Sequence, residues 1–172
     1  AVRAVLAELA RDHGKVEDIV KDARATVDRL RAFIRAKDIL RLPEPDRCKV
    51  LEMPEFQRGF SFAYLNPAPP LDPKADSIYA VSPPPREWDA RKVESFLQEY
   101  NRHMLQLLTI HEAYPGHYVQ LEYGNRHPSR IRRILDSGVF AEGWAVYTEQ
   151  VMLDQGYGDG DLALRLHQLK WY

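Results

Sequence analysis

A proline–glycine pair, Pro115-Gly116, follows the apolar helical stripe that runs from Val93 to His111 in this 172-residue chain, with a histidine on either side. The stretch reads His111-Glu112-Ala113-Tyr114-Pro115-Gly116-His117. Metal-binding helices usually carry their histidines four apart, because four steps of roughly 100° return to the same face. Here the spacing is 117 − 111 = 6. Six such steps come to about 240° round a regular helix, nearly the far side. Pro115 cannot donate a backbone hydrogen bond to the carbonyl of His111, and its ring clashes there. Gly116 adds conformational freedom. We therefore expect a kink or bulge at this pair that brings His117 back beside His111.

The residue types point to metal chemistry. Two neutral imidazoles can hold zinc, and a glutamate next to the first can take a proton from metal-bound water. Glu112 is one helical step past His111, so it sits beside the metal position rather than on it and reads as a general base. About twenty-five residues on, Phe140-Ala141-Glu142-Gly143-Trp144-Ala145-Val146-Tyr147 offers a third ligand, Glu142. Its apolar neighbours predict burial, and a buried carboxylate is costly unless a cation meets it. Arg130 or Arg133 could serve as that cation instead of zinc. Glu149, seven residues on and so on the same face, is a candidate acceptor for a ligand histidine. Tyr114, Tyr118, Tyr123 and Tyr147 are expected near the proposed site. Tyr147 is the first choice for a donor to a developing oxyanion, against a packing role for each. His103 reads as structural, and His13, His127 and His167 have no identifiable partner.

The rest of the chain reads as mainly α with a small β-sheet, an α+β class. Helices fill residues 1–40, with Gly14 as a break. Val16, Ile19, Val20, Ala23, Val27, Leu30 and Ile34 form one helical stripe. A small sheet is expected within 48–82, from Cys48 to Met53, Gly59 to Leu65 and Ser77 to Val81. In the middle run Phe60, Phe62 and Tyr64 are expected to share a face. Such a sheet either offers an edge to an extended substrate or is purely structural. Metal-site helices follow over 89–155. Asp89 is the expected N-cap of a stripe through Val93, Phe96, Leu97, Tyr100, Met104, Leu107, Leu108 and His111. A short basic helix is expected over 129–136. Val139 to Leu153 is apolar almost all round, which predicts a buried helix. A terminal helix over 161–172, capped by Asp161, shows a stripe of Leu162, Leu166 and Leu169. Together these read as a single domain, 1–172.

Composition removes several alternatives. The chain is 45% hydrophobic, enough for a core, and its formal net charge of −1 gives no support to nucleic-acid binding. No apolar run approaches the length of a membrane span. The one cysteine, Cys48, excludes an intrachain disulfide. The chain starts without Met and ends at Trp171-Tyr172 without a helix stop signal, so we expect a piece of a longer protein. The compartment, cytoplasmic or exported, and the oligomeric state stay open.

At these residues the chain resembles the domain of unknown function 885 family, which carries His-Glu-Ala-Tyr-Pro-Gly-His and a following Glu-Gly-Trp-Ala-x-Tyr. Both stand here, at 111–117 and 142–147. Gln120 and the Phe-Ala before Glu142 also look like the family. It is similar to gluzincin metallopeptidases. The resemblance implies a zincin-like architecture within a larger helical protein, with His111, His117 and Glu142 as Zn2+ ligands and Glu112 as base. It implies a peptide or small amide substrate. Two rival expectations stand beside the zinc peptidase: a metal-free helical module that binds or scaffolds, and a metal-dependent hydrolase of esters or non-peptide amides.

Overall fold

The computed structural model describes residues 2–72 and 74–170; the ends of the first and last expected helices, at 1 and 171–172, lie outside them. Helix makes up 56% of the described residues, beside one three-stranded sheet. A first helix, α1, spans Val2–Leu9. After a 3-10 turn at Val16–Asp18, α2 runs Ile19–Lys37. It buries Ile19, Ala23, Thr26, Val27, Leu30 and Ile34, the stripe that the helical period predicts. Asp38 then takes a left-handed turn whose N–H closes on the carbonyls of Ile34 and Arg35.

The strands are β1 (Cys48–Glu52), β2 (Ala63–Asn66) and β3 (Ser77–Val81). β3 lies in the middle, parallel to β1 and antiparallel to β2. Both other strands are therefore edges, and each edge is met by a side chain. Arg24 of α2 donates to the Val50 carbonyl, at 3.2 and 3.0 Å. The Leu65 N–H donates to Glu112 Oε2 at 2.9 Å. Regular pairing on β2 starts four residues later than the alternation predicts. Gly59 is left-handed (φ +85°) and Arg58 bridges to Ser61, which turns this segment out of the sheet. Phe60 is consequently 89% exposed, while Ala63 is buried.

The stripe through His111 belongs to two helices, α3 (Ala90–Glu99) and α4 (Arg102–Glu112). Asp89 caps α3 by accepting from the Lys92 N–H. Asn101 caps α4 by accepting from the N–H groups of His103 and Met104. α4 joins the layers: its Thr109 meets the Tyr79 hydroxyl of β3 at 3.0 Å, and Leu107 and Ile110 are wholly buried. α5 (His117–Asn125), α6 (Arg130–Ile134), α7 (Gly138–Asp154) and α8 (Leu162–Lys170) complete the chain.

Two burial expectations are corrected. α7 is not buried all round: only Ala145, Thr148, Glu149 and Met152 are, and Val139, Phe140 and Tyr147 are exposed. A 17-residue helix is about 25 Å long, and its first turns extend past the body it packs on. On α8 the buried residues are Leu164, His167 and Gln168, whereas Leu162 and Leu169 face out. His167 lies inside because polar partners receive it: Nδ1 meets the Ala163 carbonyl, Nε2 meets Asn101, and the ring stacks on His103 at 4.8 Å. His13 and His127 also have partners, Glu94 and the Ser129 N–H.

Candidate metal centre

α4 stops at Glu112 and α5 starts at His117, so the proline–glycine pair makes a full break rather than a kink. The four residues between are pinned to the end of α4. The N–H groups of Ala113 and Tyr114 both donate to the Thr109 carbonyl, and that of Gly116 donates to Ile110 at 2.9 Å. The approach at Gly116 is closer than any side chain permits: a Cβ there would lie 1.8 Å from the His111 carbonyl oxygen. The Tyr114–Pro115 peptide is cis. Trp144 of α7 donates to the Pro115 carbonyl at 2.9 Å and holds the turn from the other side.

The turn brings the two imidazoles together. Their ring centroids are 4.7 Å apart and their planes nearly perpendicular, at 87°. His111 Nε2 lies 3.4 Å from Glu142 Oε2, and His117 Nε2 lies 3.6 Å from the same oxygen. One ligand atom from each of the three falls within 4.8 Å of the others. Neither Arg130 nor Arg133 pairs with Glu142 among the described residues. The expected burial of Glu142 is corrected, since its side chain is 67% exposed. It sits on the projecting first turns of α7. The buried carboxylate is Glu149, two turns on, which accepts from His111 Nδ1 at 2.7 Å.

Charge and burial act differently on the four groups. On His111 burial works against the proton, but the Glu149 hydrogen bond and the charges of Glu112, Glu149 and Glu142 outweigh it and hold the pKa above the ordinary imidazole value. Burial first, then the neighbouring His111, lowers His117. Burial raises Glu112 above the usual carboxylate range against the pull of His111. Burial also pushes the Cys48 thiol up to about 12, leaving it protonated and inert at neutral pH.

The donor set, two imidazoles and a carboxylate, is of the type that holds a tetrahedral zinc ion. Ligand bonds of about 2.0–2.1 Å imply ligand-to-ligand edges of about 3.4 Å, close to both histidine–glutamate separations. Two atoms around the site also stand buried without a hydrogen-bond partner among the described residues, His117 Nδ1 and Glu149 Oε2. Glu149 ion-pairs there only with His111. A cation on His111 Nε2 would balance that buried charge through the ring.

Three of the four tyrosines go elsewhere. The hydroxyls of Tyr114 and Tyr118 reach Asp46, and that of Tyr123 reaches the Arg41 carbonyl. Tyr147 is 60% exposed, five residues beyond Glu142, with its ring tilted against Trp144. Sequence reasoning missed two groups around the site, the Leu65 amide and Asp46. For Asp46 the signal was an acid beside Pro45 at the entry to a strand.

The family described as bacterial proteins of unknown function, domain of unknown function 885, matches residues 1–172. The chain belongs to the domain of unknown function 885 family. A solved structure from Shewanella oneidensis, a candidate lipoprotein of unknown function, is similar to this family member at 37% identity and a TM-score of 0.86. It is covered over 98% of this chain and 30% of its own. A candidate lipoprotein from Colwellia psychrerythraea shares the fold, at 24% identity, a TM-score of 0.74 and coverage of 96% and 27% respectively. This domain of unknown function 885 chain thus spans less than a third of either solved chain. No curated protein matches it. Among the described residues, no helix is long and apolar enough to cross a membrane.

Proposed function

We propose that this chain carries the zinc site of a metal-dependent hydrolase acting on peptide bonds, in a zincin-like arrangement similar to that of the gluzincins. The observation that supports it most is the convergence of both Nε2 atoms on one Glu142 oxygen, at 3.4 and 3.6 Å. His111, His117 and Glu142 would hold the ion. When bound, zinc supplies a Lewis acid that acidifies water and polarises a carbonyl.

The chain's own groups do the rest. Glu149 takes the Nδ1–H of His111, which fixes the tautomer and leaves Nε2 as the free nitrogen. Glu112 stands at the end of α4 as proton acceptor, and burial raises its affinity for a proton, as suits a base working nearer neutral pH. The Leu65 N–H holds the Glu112 carboxylate against β2, an edge strand. A substrate lying extended along β2 would pass beside that base, and this favours a peptide. Tyr147 is the candidate donor to the oxyanion, on the same helix as Glu142 and with an exposed side chain.

A second reading has its own observation. Ile131, Ile134, Leu135, Val139 and Phe140 form an exposed apolar run on α6 and the start of α7. Such a surface suits a module that binds other polypeptide without catalysis. One experiment separates the readings: zinc-loaded wild type and Glu112→Gln, assayed on peptide, ester and simple amide panels. We expect peptide hydrolysis by the wild type and its loss in the variant with zinc retained. Full activity in the variant would overturn the base, and hydrolysis of esters alone would overturn the substrate class.

A further inference from the structure

Asp46 lies in the segment between α2 and β1, far from the histidines in sequence, yet it meets the turn that carries His117. Its Oδ1 accepts from the Tyr114 hydroxyl at 2.6 Å, the Tyr118 hydroxyl at 3.2 Å and the Cys48 N–H at 3.1 Å. Its Oδ2 pairs with Arg31 of α2 at 3.0 Å. The Arg47 N–H donates to the Tyr118 hydroxyl at 2.8 Å. Both tyrosines are buried, and their rings pack edge to face with centroids 5.2 Å apart.

The two tyrosines bracket the break. Tyr114 precedes Pro115, and Tyr118 follows His117. Gly116, the N-cap of α5, offers no side-chain cap, so no local hydrogen bond from a side chain fixes the direction in which His117 sets out. The Tyr118 hydroxyl supplies a remote one, and it ends on the same oxygen as the Tyr114 hydroxyl. A single carboxylate oxygen thus ties both ends of the turn to the β1 entry. Buried hydroxyls that lose their acceptor must find another or pay for desolvation, so a change here would rotate the turn rather than leave it in place.

We propose that Asp46 is a positioning residue for the metal centre: through Tyr114 and Tyr118 it sets the angle of the turn and so the placement of His117 against His111 and Glu142. Its effect on metal rests on the zinc reading above, while its effect on the turn does not.

The test uses the full chain with Asp46→Ala, Asp46→Asn, a Tyr114→Phe/Tyr118→Phe double variant and Tyr123→Phe as control. Tyr123 bonds the Arg41 carbonyl and takes no part in the clamp. Two readouts are needed: imidazole NMR resonances of His117 in the metal-free protein, and zinc affinity by chelator competition. We expect shifted His117 resonances and about tenfold or greater loss of zinc affinity in Asp46→Ala and in the double variant. Asp46→Asn keeps an acceptor oxygen and should stay within about threefold of wild type, as should the control. Folded Asp46→Ala with unmoved His117 resonances and zinc affinity within about twofold of wild type would overturn the proposal. If Asp46→Ala does not fold, the double variant, which removes only two hydroxyls, decides in the same way. If the wild type binds no zinc, the zinc reading fails, and the His117 resonances alone decide for or against the clamp.

Discussion

His111 donates from Nδ1 to Glu149 at 2.7 Å, and that bond decides which of its nitrogens faces Glu142. A carboxylate can only accept, so the proton sits on Nδ1 and Nε2 carries the free lone pair. The arrangement pairs a buried acid with an exposed one across a single ring, the first orienting and the second available to a ligand.

Zinc uptake should depend on pH through this pair. A histidine binds zinc only without the competing proton. The His111 pKa lies above the ordinary imidazole value, so affinity is full above that raised pKa and falls as pH drops through it. Glu149→Gln removes the Glu149 charge, one of the influences that raise it, while keeping an acceptor oxygen. The midpoint of the fall should then move to lower pH, and affinity on the alkaline plateau should weaken about 10- to 100-fold. Isothermal titration of zinc across pH checks both, and an unmoved midpoint would count against the assignment.

Gly116→Ala should damage both fold and site. The added methyl would meet the carbonyl oxygens of His111 at 1.8 Å and Ile110 at 2.4 Å, both backbone atoms that cannot step aside cheaply. We expect a loss of roughly 3 kcal/mol or more in denaturant unfolding, together with loss of zinc uptake. A variant as stable as wild type would show that the break is not held as described.

Asn101→Ala should cost stability but spare the metal site. Its side-chain oxygen caps α4, and its amide nitrogen meets the buried His167 ring at 2.9 Å. Losing a cap and a buried hydrogen bond together predicts about 2–3 kcal/mol of destabilisation. Urea unfolding measures it, and zinc affinity should stay unchanged in the folded protein.

Periodicity made much of this legible. The α2 stripe, the Asp89 cap and the β3 span follow from residue spacing and local hydrogen-bonding habit. So did the seven-residue step that puts Glu149 on the face of Glu142. What stayed hidden depends on distant parts of the chain. The apolar period runs unbroken through Tyr100, so the stop between α3 and α4 lies in how the Asn101 side chain is used, and composition does not record that. The apolar residues of α7 read as buried, yet nothing in them tells how far the helix projects beyond its neighbours. The Tyr114 and Tyr118 hydroxyls find an acceptor 68 and 72 residues away, beyond the reach of any local pattern. The Leu65 amide on Glu112 is hidden for the same reason.

The most direct test is metal content. Wild-type chain purified without chelator should carry about one zinc ion per molecule by elemental analysis, as expected for three protein ligands that leave a fourth position open to water. His117→Ala, folded by circular dichroism, should lose it. A wild-type protein that stays metal-free after incubation with zinc, or a His117→Ala variant that keeps its full complement, would contradict the account.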